Sequence, residues 1–230
     1  MTKATPVGQS QACTLTTAAA PAAVKPDTME REDWNQRYAA QEFVWTVDAN
    51  RFLIAETENL APGTALDLGT GEGRNAVWLA ERGWTVHALD FSDVALDKGK
   101  RLAAARNVDG RVHFVEVDLR RYSHAGPRFD LVALIYLQMP QSELEPIIEQ
   151  AAKAVAPGGT FLLVAHDSMN LAHGFGGPKN PAMLYTAEDV VAALGNELVI
   201  EKAGRVDRPV KTADGTQVAI DCLVRATRPL

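Results

Sequence analysis

Three glycines, Gly69, Gly71 and Gly73, follow directly on the apolar run Ala65-Leu66-Asp67-Leu68, and the run Thr85-Val86-His87-Ala88-Leu89 closes on a second acid, Asp90, twenty-three residues beyond Asp67. Residues of these types at this spacing suit a nucleoside. Glycine lets the backbone turn sharply and approach a ligand with no Cβ in the way, and a helix starting after the turn offers unpaired N–H groups. A carboxylate closing the neighbouring strand can accept hydrogen bonds from two ribose hydroxyls.

The spacing separates two cofactor classes. A dinucleotide fingerprint reads G-x-G-x-x-G, whereas here the third glycine comes one residue early. Glu72 stands inside the turn, where a pyrophosphate would meet a like charge and a ligand with a cationic centre would not.

Asp67-Leu68-Gly69-Thr70-Gly71-Glu72-Gly73 resembles motif I of class I S-adenosylmethionine-dependent methyltransferases, and Ala88-Leu89-Asp90-Phe91-Ser92 resembles their acidic second motif. The continuation Arg74-Asn75-Ala76-Val77-Trp78-Leu79-Ala80 is similar to the tellurite-resistance and thiopurine-type small-molecule subgroup. The resemblance runs from Trp34 to Arg225 by motif order. It implies S-adenosylmethionine as cofactor, with S-adenosylhomocysteine as product, and a cofactor site drawn from Asp67, Gly69, Gly71, Gly73, Arg74, Asn75, Asp90, Phe91, Asp118, Leu119 and Ile135. Within that set it implies that Gly69 and Gly71 pack on the methionine part, Asp90 takes the ribose, Phe91 lies against adenine and Asp118 receives the exocyclic amine. Asp67 would act by fixing the loop or through water. Arg74 is open to two readings, a partner for a carboxylate of cofactor or substrate, or merely for Glu72.

Elements must hold these residues at one edge. Strands are expected at 65–68, 85–89, 112–117, 129–137 and 160–165, and helices at 29–40, 50–59, 75–82, 93–106 and 142–155, the last capped by Ser142. Asp27 or Thr28 is expected to cap the first helix, and Pro157-Gly158-Gly159 to turn the chain into the fifth strand. Alternation of this kind gives an α/β fold with a mostly parallel sheet and helices on both faces. Glu197 to Val206 and Gln217 to Arg225, joined by Lys211 to Gly215, are expected to pair as an antiparallel hairpin. The resemblance makes these the sixth and seventh strands of a Rossmann-like seven-stranded sheet.

In such sheets ligands sit beyond the carboxyl ends of the strands, which selects His166 as the candidate general base, with Tyr136 and His173 as secondary choices. Trp34, Tyr38 and Trp45 precede the first strand, where the resemblance places a lid over 29–60; packing on a sheet edge is the plainer alternative. Residues 168–184, rich in glycine and proline and without secondary-structure period, are expected to control substrate access. Tyr136-Leu137-Gln138-Met139-Pro140 stands where an Asn-Pro-Pro-Tyr motif would, which argues against methylation of base or glutamine amino groups.

The chain has 230 residues, 47% of them hydrophobic, and a net charge of −6. One methyltransferase domain, 29–230, with a disordered tail over 1–28, accounts for this length. The acidic balance lacks the electrostatic footprint of a nucleic-acid binder. No window is long and apolar enough for a membrane span, and Cys13 and Cys222 make neither a disulfide framework nor a metal site, so a cytoplasmic location is expected. The expected activity is transfer of a methyl group to O, S or N of a small molecule by in-line displacement, which positioning and exclusion of water largely achieve. Two alternatives stay open: an NAD(P)-dependent oxidoreductase and a catalytically silent domain that binds an adenosyl ligand to regulate a partner. Oligomeric state is not legible.

Overall fold

The computed structural model describes Met1 and residues 29–230; the expected tail, Cys13, Asp27 and Thr28 lie outside the described residues. The chain enters through α1 (Arg31–Ala39) and α2 (Arg51–Thr57). It then alternates β1 (Thr64–Leu68), α3 (Arg74–Glu81), β2 (Thr85–Asp90), α4 (Asp93–Ala105), β3 (Val112–Glu116), β4 (Phe129–Ile135), α5 (Gln141–Ala154) and β5 (Val155–His166). After the short α6 (Asn170–His173) and α7 (Ala187–Leu194), β6 (Val199–Thr212) and β7 (Gly215–Thr227) complete a seven-stranded sheet of order β3-β2-β1-β4-β5-β7-β6. The first five strands are parallel neighbours, and β7 inserts antiparallel between β5 and β6.

The apolar runs are continuous because the sheet is covered on both faces. Along β4, Val132 and Leu134 point into a core with Ile147, Ile148 and Val190, while Leu131, Ala133 and Ile135 point into a second with Leu53, Val77 and Leu79. Asp67 lies between Leu66 and Leu68 yet is 1% exposed, so the carboxylate is committed to the interior.

Several boundaries differ from expectation for physical reasons. Glu30, not Asp27 or Thr28, stands at the start of α1, its N–H donating to Asp33. Pro140 precedes α5, which places Ser142 inside the first turn instead of at the cap. Pro157-Gly158-Gly159 is an irregularity within β5 rather than a turn before it: the pairing with β4 jumps from Phe129–Val155 to Leu131–Thr160. The hairpin is longer than its apolar pattern, because the exposed half of β6 pairs through Thr212–Gly215 and so needs no buried face. Residues 168–184 are partly ordered by α6 and a helical turn at Pro181–Met183. Fully buried Asn170 anchors that segment, accepting from the Ile220 N–H and donating to the Gly176 carbonyl.

Candidate active site

Strand order reverses between β1 and β4, and a cleft opens there beyond the carboxyl ends of the strands. It has two connected chambers that share Trp34, Tyr38, Gly69, Tyr136 and Gln138.

The glycine turn divides the chambers: Gly69 lines both, and Thr70 and Gly71 line the second. Gly69 and Thr70 both donate to the Leu89 carbonyl, at 2.9 and 3.0 Å, which binds the turn to the end of β2. Gly69, Gly71 and Gly73 all adopt positive φ, of 75, 54 and 78°, a region that side chains with a Cβ rarely occupy. A Cβ at Gly69 would come within 2.8 Å of Leu137, and one at Gly71 within 3.0 Å of the Tyr38 hydroxyl. Asp90 closes the first chamber. One carboxylate oxygen accepts the Gly71 N–H at 2.8 Å and the other the Ser92 N–H at 2.9 Å. Burial pushes the Asp90 carboxyl above its ordinary pKa, against those backbone hydrogen bonds. Phe91, Asp118 and Leu119 line the same chamber. Asp118 is engaged by Arg120, whose guanidinium also grips Glu30 at the start of α1, and this bridging holds the Asp118 carboxyl below the usual range.

The predicted cofactor residues divide. Gly69, Gly71, Arg74, Asn75, Asp90, Phe91, Asp118, Leu119 and Ile135 all reach the cleft. Gly73 and Asp67 do not line it. Gly73 instead lets α3 pass close to α4, since a Cβ there would meet Phe114 at 2.9 Å and Gly99 at 3.2 Å. Asp67 accepts the Thr70 hydroxyl at 2.7 Å, and burial raises its carboxyl to about 6. Glu72 does not face the ligand side. Its carboxylate, almost wholly buried, pairs with Lys98 at 3.0 Å and takes the N–H groups of Val44 and Trp45, so Arg74 does not pair with it.

That buried pair fixes the segment after α1. Lys98 also donates to the carbonyls of Tyr38 and Gln41. Further along α1, Asn35 accepts from Ser92 and donates to Asp93, and Arg31 pairs with Asp93 and Glu116. The helix therefore lies across the carboxyl edge. Trp34 stacks on Tyr38 with ring centroids 5.6 Å apart, and Arg37 sits over both Trp34 and Trp45.

The second chamber, a cavity of about 470 Å³, brings together Arg74, Tyr136, His166 and Arg208. Its organising group is Asp221, on β7 and wholly buried. Tyr136 Oη donates to this carboxylate at 2.5 Å and Arg208 Nε at 2.6 Å. His166 Nδ1 approaches it to 3.2 Å, without hydrogen-bond geometry. Burial alone would raise the Asp221 carboxyl, but the contacts from His166, Arg208 and Tyr136 outweigh it and hold it below the usual range. Burial, reinforced by Asp221, raises the Tyr136 hydroxyl. Tyr136 itself has φ 57°, a conformation costly for a bulky side chain, which turns its ring into the cleft. Gly177 covers His166 so closely that a Cβ would lie 3.0 Å from Nδ1.

His173 is not brought to the site; it is exposed on α6 and lines neither chamber. Its place in the sequence, beside a glycine-rich stretch, does not reveal which way a single helical turn faces. Asp221 and Arg208 were not foreseen. The available signal was an acid inside the apolar run Ala219-Ile220-Asp221-Cys222-Leu223-Val224, which a strand covered on both faces does not bury without partners.

Residues 65–159 match a methyltransferase domain family. The 2-heptyl-1-hydroxyquinolin-4(1H)-one methyltransferase of Mycobacteroides abscessus is 30% identical over 118 residues, 50% of this chain and 52% of that protein. The tRNA 5-carboxymethoxyuridine methyltransferase of Escherichia coli is 28% identical over 110 residues, 47% of this chain and 41% of that protein. The chain thus spans about half the length of the curated relatives it matches. Among solved structures, the N-methyltransferase NodS from Bradyrhizobium japonicum with S-adenosylhomocysteine superposes with TM-score 0.66 at 18% identity, covering 87% of this chain and 99% of that one. TehB from Haemophilus influenzae superposes with the same score at 15% identity, covering 87% and 67%. Among the described residues no helix is long and apolar enough to cross a membrane.

Proposed function

We propose that this chain, whose residues 65–159 match a methyltransferase domain family, is a class I S-adenosylmethionine-dependent methyltransferase whose cleft binds S-adenosylmethionine and passes its methyl group to a small molecule. The observation that carries this reading is Asp90. Its two oxygens are fixed by backbone N–H groups from the glycine turn and from the start of α4, and the carboxylate still faces the cleft with lone pairs to spare. Gly69 and Gly71, where a Cβ would meet Leu137 and Tyr38, supply a floor thin enough for close approach.

In this reading Asp90 takes the ribose, Phe91 and Leu119 flank the base, and Asp118 stands by the exocyclic amine. Asp67 and Gly73 serve the site from behind, the one by fixing Thr70 and the other by letting α3 and α4 meet. When bound, the cofactor supplies a methyl group on a positively charged sulfur. Trp34, Tyr38 and Trp45, held by α1 and the Glu72–Lys98 pair, keep water from that part of the cleft. Residues 168–184 form the acceptor's entrance, with Gly177 against His166. His166, backed by Asp221, is placed to take a proton from an acceptor that carries one, and Tyr136 orients that acceptor.

A cavity of about 470 Å³ roofed by aromatic rings suits a metabolite better than a folded nucleic acid. We place the activity in the cytoplasm, where the buried Cys222 keeps a free thiol. Calorimetric titration with S-adenosylhomocysteine tests the reading: the wild type binds, Asp90→Ala binds far more weakly, and absence of binding by the wild type rejects it. Release of that product from labelled cofactor across a metabolite panel then separates turnover from a silent binding domain.

A further inference from the structure

The second chamber has two sides. The glycine-turn side, with Gly69, Gly71 and Arg74, goes to the methionine part of the cofactor. The side that remains is lined by Trp45, Tyr136, His166, Phe175, Arg208 and Val210. No acid lines it, and the carboxylate behind it, Asp221, is fully buried and already meets Tyr136, Arg208 and His166. An ammonium group entering here finds no counter-charge, with Arg37 and Arg208 on the walls and a positively charged sulfur beside it. A group that gives up a proton finds the opposite. Arg208 spends Nε and one terminal nitrogen on Asp221, and its other terminal nitrogen makes no hydrogen bond among the described residues. His166 turns Nδ1 toward Asp221, while Nε2 makes no hydrogen bond and is not sealed from the chamber. An imidazole takes a proton near neutral pH; it can do so from a phenol, of pKa about 10, but not from an aliphatic hydroxyl. The walls favour a flat ring as well. Trp45 and Phe175 are 37% and 42% exposed at this cavity, and the Tyr136 ring stands between them and the sheet, 4.8 Å from the His166 imidazole. Stacking covers such apolar surface.

We infer that the acceptor is a phenol, an aromatic ring bearing a weakly acidic hydroxyl, and that the methyl group goes to that oxygen. This deepens the methyltransferase reading and rests on it. The hydroxyl proton passes to His166 Nε2, and a lone pair of the phenolate oxygen forms the new bond to the methyl carbon. The carbon–sulfur bond breaks with its electron pair left on sulfur, giving an aryl methyl ether and neutral S-adenosylhomocysteine, and the proton on His166 returns to water. The free nitrogen of Arg208 steadies the phenolate with a charge-assisted hydrogen bond. A thiolate gains less from the same donor, because sulfur accepts hydrogen bonds weakly.

The protein saturated with S-adenosylhomocysteine is titrated with 4-nitrophenol and 4-nitroaniline, two dyes of one shape, and with phenol and cyclohexanol. At a pH about one unit below its own pKa, free 4-nitrophenol is about nine-tenths protonated. The expected result is that the bound dye shows the phenolate absorption at that pH and binds at least about tenfold more tightly than 4-nitroaniline. Phenol should bind about fivefold more tightly than cyclohexanol, the worth of one stacked ring. His166→Gln should leave the bound dye protonated. The inference is overturned by a bound dye that stays neutral on the wild type, by an aniline that binds as tightly as the phenol, or by ionisation that persists in His166→Gln. The wild-type absorption is decisive even where that variant does not fold. Failure of the wild type to bind S-adenosylhomocysteine at all would instead remove the methyltransferase reading beneath it.

Discussion

The chamber proposed for the nucleoside and the one proposed for the acceptor lie side by side on one sheet edge, yet they are built by different rules. The first rests on backbone. Gly69, at positive φ, forms part of its wall, and its acid, Asp90, is held by N–H groups only two and nineteen residues away. The second rests on side chains drawn from β4, β5, β6 and β7, with Asp221 meeting Tyr136 across eighty-five residues. Main-chain hydrogen bonds do not depend on side-chain identity, so the first chamber can be specified by a short motif. The second can change its occupant by changing a few side chains, as expected where one fold serves many acceptors.

The largest test strikes the junction between the two. Lys98→Met leaves Glu72 buried without its cation, which should cost about 3–5 kcal/mol of stability, read from the midpoint of urea unfolding. A loss near zero would mean that the chambers do not share this support. Next comes Asp90→Ala, which should lower affinity for S-adenosylhomocysteine by about 30- to 100-fold, the worth of a charged acceptor shared by two hydroxyls. A change below about threefold would break the assignment of Asp90 to the nucleoside.

Asp221→Asn should leave that affinity within about twofold while costing about 2 kcal/mol of stability, because Arg208 and Tyr136 lose their ionised partner. Equal damage to cofactor affinity would erase the distinction between the chambers. The last test concerns Asp67. Its carboxyl is raised to about 6 in the folded protein, so its contribution is fully favourable below the ordinary carboxylate value and is lost as pH rises through 6. The wild type should therefore gain stability relative to Asp67→Asn as pH falls from about 7 to about 4, measured by chemical denaturation across that window. A difference independent of pH would show that the Asp67 carboxyl keeps its ordinary value.

The same contrast explains what was legible in the sequence. Gly69, Gly71 and Asp90 act through chain neighbours and strand ends, so their spacing announces them, as the alternation of apolar runs announces the sheet. Lys98 and Asp221 carry no such mark. Each matters because of a partner distant in sequence, Glu72 in one case and Arg208 in the other, and the partner is chosen by packing. Gly73 was read as a ligand contact because it stands in a glycine series, but its neighbours Phe114 and Gly99 come from other elements. His173 failed for a related reason: four helical residues have no periodicity from which a facing direction could be drawn. The irregularity at Pro157-Gly158-Gly159 looked like punctuation between elements, whereas the ladder resumes across it.

Tyr38 belongs to both halves at once: its ring walls each chamber, its hydroxyl lies over Gly71, and its carbonyl is held by Lys98. A guest on either side that restricted this one ring would prepay part of the ordering that a second guest requires. Were the ring ordered by one ligand in this way, each ligand would tighten the other by the same factor.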